Sequence, residues 1–234
     1  RIIYFTGGHS VINLIGGHLD SSQKIEEEVF RRFSGFLESN AIMPFVKILG
    51  ELKTIHARKL VVEVLVDLGG KDISVLIEKL NDSRWYVVRN IVHILRKIGD
   101  KKALQPLLKT IRHEDARVKK EVIRALGELG SDNVLNTLQN CLRDKDLQLR
   151  KAAIMALSSI GTQASKKIVM DSITLNDFGD KPFEEKKDYF EALSRWTDVE
   201  VHGFLLGIMK KKAFWGKAKQ DENKACAAYC LGLI

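Results

Sequence analysis

The residues best equipped for chemistry are six histidines and three cysteines. His9, His18, His56, His93, His113 and His202 fall into no metal-ligand spacing. Cys226 and Cys230 lie four apart, where a disulfide on one helix would be strained, and no histidine stands near to complete a zinc set. Gly7-Gly8-His9 and Gly16-Gly17-His18 are glycine-rich, but neither follows a strand and opens a phosphate-binding helix. No Walker A or dinucleotide fingerprint occurs. No catalytic residue, cofactor or metal is therefore expected.

What remains is charge interleaved with aromatics, which is the chemistry of recognition. The 234 residues hold 38 Lys+Arg against 30 Asp+Glu, a net charge of +8. Residues 81–125 carry 12 basic and 5 acidic residues, and residues 210–219 carry five lysines and no acid. The rest of the chain is net acidic, so the positive charge sits in two islands. Trp85 and Tyr86 lie between Arg84 and Arg89 in the first island, and Phe214 and Trp215 lie among the lysines of the second.

Stepping from these residues to their carriers, the chain repeats. Gly69, Gly99, Gly130 and Gly161 are spaced by 30, 31 and 31 residues. Count position zero at Lys119 or Arg150; apolar residues then fall at −1, +3, +4, +6, +7 and +10, a helical stripe. The template also fits segments ending near 37, 197 and 234, with a single polar miss in each. An apolar helical segment precedes each one, as in Ile42–Leu52, Ile73–Leu80, Leu104–Ile111, Val134–Leu142 and Ile168–Ile173. Glycine closing the second helix predicts a C-cap. Pro44 and Pro106 fall where a first helical turn tolerates them. Each unit is thus a helical hairpin that must stack on its neighbours to bury its faces.

The expected fold is all-α: an α-solenoid superhelix of about seven hairpins over residues 1–234, read as one continuous domain. Units end near 37, 69, 99, 130, 161, 197 and 234, and residues 1–6 read as the tail of a preceding unit. Residues 176–182 and 210–220 are insertions, expected as loops that could serve binding. The sequence starts at Arg1 and stops at Ile234 in mid-pattern, which reads as a fragment of a longer chain. The apolar content is 45%, ample for a packed core and against disorder. No run of 18 apolar residues occurs, so no transmembrane segment is expected. Three cysteines make no disulfide framework and suit a reducing, cytoplasmic compartment.

The pattern resembles HEAT repeats as they occur in bacterial HEAT-repeat proteins and bilin lyases. Val118-Lys119, Leu149-Arg150, the Ala/Leu pairs that follow and the closing Leu129-Gly130 and Ile160-Gly161 carry the resemblance. It implies second helices lining a concave face. It also implies basic residues at position zero (Arg58, Lys119, Arg150, Lys186 and Lys224) that pair with turn acids such as Asp115 and Asp146. Glu26 and Val88 depart from that pattern. His113-Glu114 invites comparison with the iron ligands of HEAT-like deoxyhypusine hydroxylases, but the pair occurs once and in a turn, and that reading is set aside.

On the polar face of the second helices, Lys59, Arg89, Lys120 and Lys151 are expected in one row. Asn90, His93, Arg96 and Arg124 extend it into a candidate basic groove, which Glu63, Glu121 and Glu128 dilute. The alternative is a solvated helix face. Trp85 and Tyr86 could stack on a ligand or pack into the next repeat. Phe214 and Trp215 could mark a polyanion-binding loop or simply anchor it. The reading is a non-enzymatic scaffold binding a protein or peptide of acidic character on its concave face. Nucleic-acid binding through the groove and the 210–219 loop is the alternative, and a lyase-like enzyme role a further one.

Overall fold

A computed structural model describes residues 8–21, 27–211 and 217–234. The chain gathers into two compact units, Arg1–Ala125 and Leu126–Ile234. The first holds α1 (His9–Leu19), α2 (Glu27–Gly35), α3 (Ile42–Glu51), α4 (Ile55–Lys71), α5 (Ser74–Glu78), α6 (Trp85–Ile98) and α7 (Leu104–Thr110). Helix α8 (Ala116–Leu129) starts in the first unit and ends in the second. The second unit continues with α9 (Leu135–Cys141), α10 (Leu147–Ile160), α11 (Gln163–Thr174), α12 (Phe183–Leu193), α13 (Val199–Lys210) and α14 (Lys217–Leu231). No strand occurs among the described residues, and the fold is an all-α solenoid of helical hairpins.

The apolar stripe does what its period requires. In α6, Val87, Ile91, Val92, Ile94 and Leu95 are buried, and in α10 Leu149, Ala153, Ile154, Ala156 and Leu157 are. The first helices are shorter, and several are entered through a 3₁₀ turn, as at Lys101–Ala103 before α7 and Asp132–Val134 before α9. No helix among the described residues is long and apolar enough to cross a membrane.

The repeat glycines divide into two kinds. Gly99 and Gly161 have φ of +79° and +69° and cap α6 and α10, as expected. Gly69 and Gly130 do not take the left-handed conformation. Gly69 lies inside α4, where an added Cβ would come 2.3 Å from Leu76 Cδ1. At Gly130 it would come 2.5 Å from Val134. These two glycines let the following segment approach, rather than ending a helix.

The first hairpin departs from the template. Val29 and Phe36, expected inward, are exposed, while Phe30, Ser34 and Leu37 are buried. The helix of the sixth segment ends at Leu193, short of Thr197. The expectation for residues 1–6 lies outside the described residues.

The insertion at 176–182 is an anchored 3₁₀ turn, not an open loop. Phe178 is 1% exposed and packs edge-on against Tyr189 and Phe190, with ring centres 5.3 and 6.3 Å away. Of the second insertion, residues 217–220 form the first turn of α14, where Lys219 pairs with Asp180. The position-zero ladder is present but takes other partners. Asp115 accepts the Arg117 side chain, and Asp146 caps α10 through the Gln148 N–H. Arg150 donates to the Asp144 and Lys145 carbonyls and makes a two-pronged pair with Glu185 at 2.6 and 2.8 Å. Lys186 reaches the Gly179 carbonyl and Glu222. These bases tie one hairpin to the next through carboxylates on the following helices.

Candidate binding groove

The groove lies in the first unit and is built by α4 and α6 with the end of α3. Thr54 caps α4 through its hydroxyl, which accepts from Ala57 N–H, and so sets where Ile55 and Lys59 project. Asp20 holds the same turn by accepting from the backbone N–H groups of Lys53 and Thr54, and those bonds lower its pKa. Arg84 precedes α6 and forks onto Asp82, whose carboxyl it holds down at about 2. That fork closes the turn that opens α6, and Trp85 and Tyr86 follow it directly.

The resulting cavity is about 590 Å³. It is lined by the apolar or aromatic Leu49, Ile55, Val62, Trp85 and Tyr86 and by the polar Arg58, Lys59, Glu63, Arg89, Asn90, His93 and Lys97. Ile55 is 84% exposed. Gly50 explains how Tyr86 lies across α3: an added Cβ would meet the ring at 2.8 Å. Tyr86 is edge-on to Trp85, with ring centres 5.9 Å apart.

The charges are not balanced inside the cavity. Glu63 is taken by Arg31 at 2.6 Å, and Arg58 Nε donates to the Leu52 carbonyl. Lys59, Arg89 and Lys97 meet no acid among the described residues. Arg89 approaches only the Asn90 side-chain oxygen, at 3.4 Å.

Beside the groove, α8 supplies Glu121, 3% exposed. His93 Nδ1 lies 3.0 Å from it, Arg96 Nε 3.3 Å and Arg124 3.5 Å. Burial pushes the Glu121 pKa up, but the three basic neighbours outweigh it and hold the carboxyl at about 2. Glu121 thus does more than dilute the basic patch: it organises Arg96, His93 and Arg124 as a fixed cluster on the groove's flank.

Six sequence candidates come together in the cavity: Lys59, Trp85, Tyr86, Arg89, Asn90 and His93. Arg96 and Arg124 meet at Glu121 instead, and Lys120 is half-buried on α8 outside the cavity lining. Lys151 belongs to the second unit, where it pairs with Asp188 at 2.9 Å. Phe214 and Trp215 lie outside the described residues. The Arg117 guanidinium of the next repeat covers the Trp85 ring, and Trp85 also lines the groove.

Sequence reasoning passed over Ile55, Val62 and Arg117. The available signal was an isoleucine on an otherwise polar helix face. Elsewhere, His113 Nδ1 accepts the Asp115 backbone N–H, a turn role. Burial pushes the Cys226 and Cys230 thiols up to about 11, so both are inert at neutral pH. Among the described residues no group of three or more His, Cys, Asp or Glu could hold a metal ion.

Comparison with known proteins adds the following. No curated protein matches the sequence. The chain is similar to the complex of CpcE and CpcF of phycocyanin lyase from Nostoc sp. PCC7120, at 17% identity and a TM-score of 0.44, covering 97% of this chain and 95% of that one. It is also similar to two engineered proteins, each at 16% identity. One has a TM-score of 0.47, with 97% of this chain and 66% of that chain covered. The other has a TM-score of 0.40, with 94% and 97% covered. Residues 105–179 match the family model described as HEAT repeats. Helical hairpins extend to either side of that matched segment.

Proposed function

We propose that the chain is a non-enzymatic interaction module, and that the groove of its first unit binds an acidic, partly apolar peptide segment of a partner protein. One observation carries this reading. Among the described residues, Lys59, Arg89 and Lys97 stand without acidic partners in a cavity that exposed Ile55 and half-buried Trp85 also line. Apolar residues set beside these cations in one cavity suit a ligand with carboxylates and a hydrophobic anchor. The repeat architecture supports the same reading, because it offers extended surface rather than an enclosed pocket.

The test is anisotropy of labelled synthetic peptides that combine Asp or Glu with one Leu or Phe anchor. Binding is expected for the intact chain and not for the Lys59→Glu, Arg89→Glu double variant. Acidic peptides that bind both proteins equally, or neither, would overturn the proposal. A single-stranded oligonucleotide serves as competitor. If it displaces the peptides and its own binding collapses steeply with salt, the groove is a polyanion site instead.

A further inference from the structure

Another cavity, of about 420 Å³, lies in the second unit. It is bounded by α9, the turn into α10, the end of α11, the 3₁₀ turn that follows and α12. Its size suits a small molecule. Several of its polar groups are already engaged within the fold. Arg150 and Lys181 are held by Glu185, the Asp144 carboxylate accepts the Asp146 N–H, and Ser172 donates to the Ile168 carbonyl.

Tyr189 is not engaged. It is 1% exposed, yet it lines the cavity. Phe178 packs edge-on against its ring at 5.3 Å, and Lys181 Nζ lies 5.8 Å from the ring centre. Its hydroxyl makes no hydrogen bond among the described residues. A buried tyrosine hydroxyl ordinarily has a partner, so this one calls for an acceptor inside the cavity. Burial pushes its pKa up, so at neutral pH the hydroxyl keeps its proton and can donate it.

Three charged side chains on the same lining are also unengaged. Arg143, Asp171 and Asp177 make no hydrogen bond or ion pair among the described residues. The phenol donor and the Arg143 guanidinium suit a carboxylate, and the two aspartates suit cations. A simple anion would face both aspartates. A simple cation would face Arg143 and leave the phenol without its acceptor. A molecule with one carboxylate and two cationic groups matches each unengaged charge, and free basic amino acids have that composition. Leu142 and Leu175 also line the cavity and suit an aliphatic stem.

We propose that the cavity beside Tyr189 binds a free basic amino acid, its carboxylate taken by the Tyr189 hydroxyl and Arg143 and its two cationic groups by Asp171 and Asp177. The site lies in the second unit and does not depend on the groove of the first.

Isothermal titration calorimetry of the 234-residue chain with L-arginine and with L-lysine tests it. At least one should bind. Agmatine, which is arginine without its carboxylate, and norleucine, which is lysine without its side-chain ammonium, should bind at least about tenfold more weakly. Tyr189→Phe keeps the buried ring and removes only the hydroxyl; it should weaken binding about fivefold or more, and Asp171→Asn on the exposed side likewise. Circular dichroism checks that both variants keep their helicity. The Lys59→Glu, Arg89→Glu double variant should bind as the parent does. No binding of either amino acid at millimolar concentration overturns the proposal. Agmatine or norleucine binding as tightly as its parent amino acid overturns the ligand class. Undiminished binding by both Tyr189→Phe and Asp171→Asn overturns the site.

Discussion

The guanidinium carbon of Arg117 lies 3.3 Å from the centre of the Trp85 ring, and the same guanidinium forks onto Asp115. The arrangement orients the ring from outside its own repeat: a cation from the next hairpin covers one indole face while Tyr86 meets it edge-on. Arg117→Ala should move the Trp85 indole N–H resonance and let the ring sample other rotamers, with little change in overall stability because the contact is exposed. Arg117→Lys keeps the charge but loses the planar stack, and should also move the resonance. An unmoved resonance in both variants would contradict the contact.

Glu121 should impose an acid-sensitive step on the first unit. Its folded pKa is held at about 2, below the ordinary 4.5. A depressed carboxylate contributes stability that is complete above the unfolded value and is lost as pH falls through the folded one. The loss should therefore run from about pH 4.5 down to about 2. Glu121→Gln should flatten that limb in urea denaturation measured across this range, and should lower stability at neutral pH, where His93, Arg96 and Arg124 would crowd without their shared anion.

In the second unit the buried carboxylate is Glu185, whose side chain is fully covered and is held by Arg150 and Lys181. Burial raises its pKa and the hydrogen bonds from Arg150 and Lys181 lower it, the latter prevailing. Arg150→Ala strands that charge with one partner and frees two turn carbonyls, Asp144 and Lys145. The expected cost is about 3 kcal/mol. Arg150→Lys should lose less, since it keeps the charge but not the fork. Chemical denaturation of the two variants against the parent measures the difference.

Gly127 sits inside α8, and an added Cβ would lie 2.7 Å from both the Cα and the Cβ of Ala156 in α10. Backbone cannot retreat as a flexible side chain can. Gly127→Ala should therefore destabilise by about 1–3 kcal/mol, despite the helix-propensity gain of about 1 kcal/mol that alanine brings. Gly203, with nothing within 4 Å of the built Cβ, is the control: Gly203→Ala should be neutral or stabilising. Thermal unfolding of the two variants separates close packing from propensity.

The sequence alone determined that this chain is a stack of helical hairpins. A one-dimensional period is enough for that, because each stripe of Val, Ile, Leu and Ala can be buried only by the neighbouring unit. It also placed Lys59, Arg89, Asn90 and His93 on one polar face, since the 3.6-residue period sorts residues by face. Tertiary structure decided whatever depends on distances between helices. It distinguished Gly99, a left-handed cap, from Gly69, which makes room for Leu76, two roles that look alike in a spacing pattern. It gave Glu121 three basic partners from two helices and sent Arg150 to Glu185, 35 residues on, rather than to a turn aspartate. It set Ile55 and Trp85, 30 residues apart in sequence, on the lining of one groove. Periodicity records which way a side chain points; which side chain it meets depends on the neighbouring helix, and no single helix encodes that.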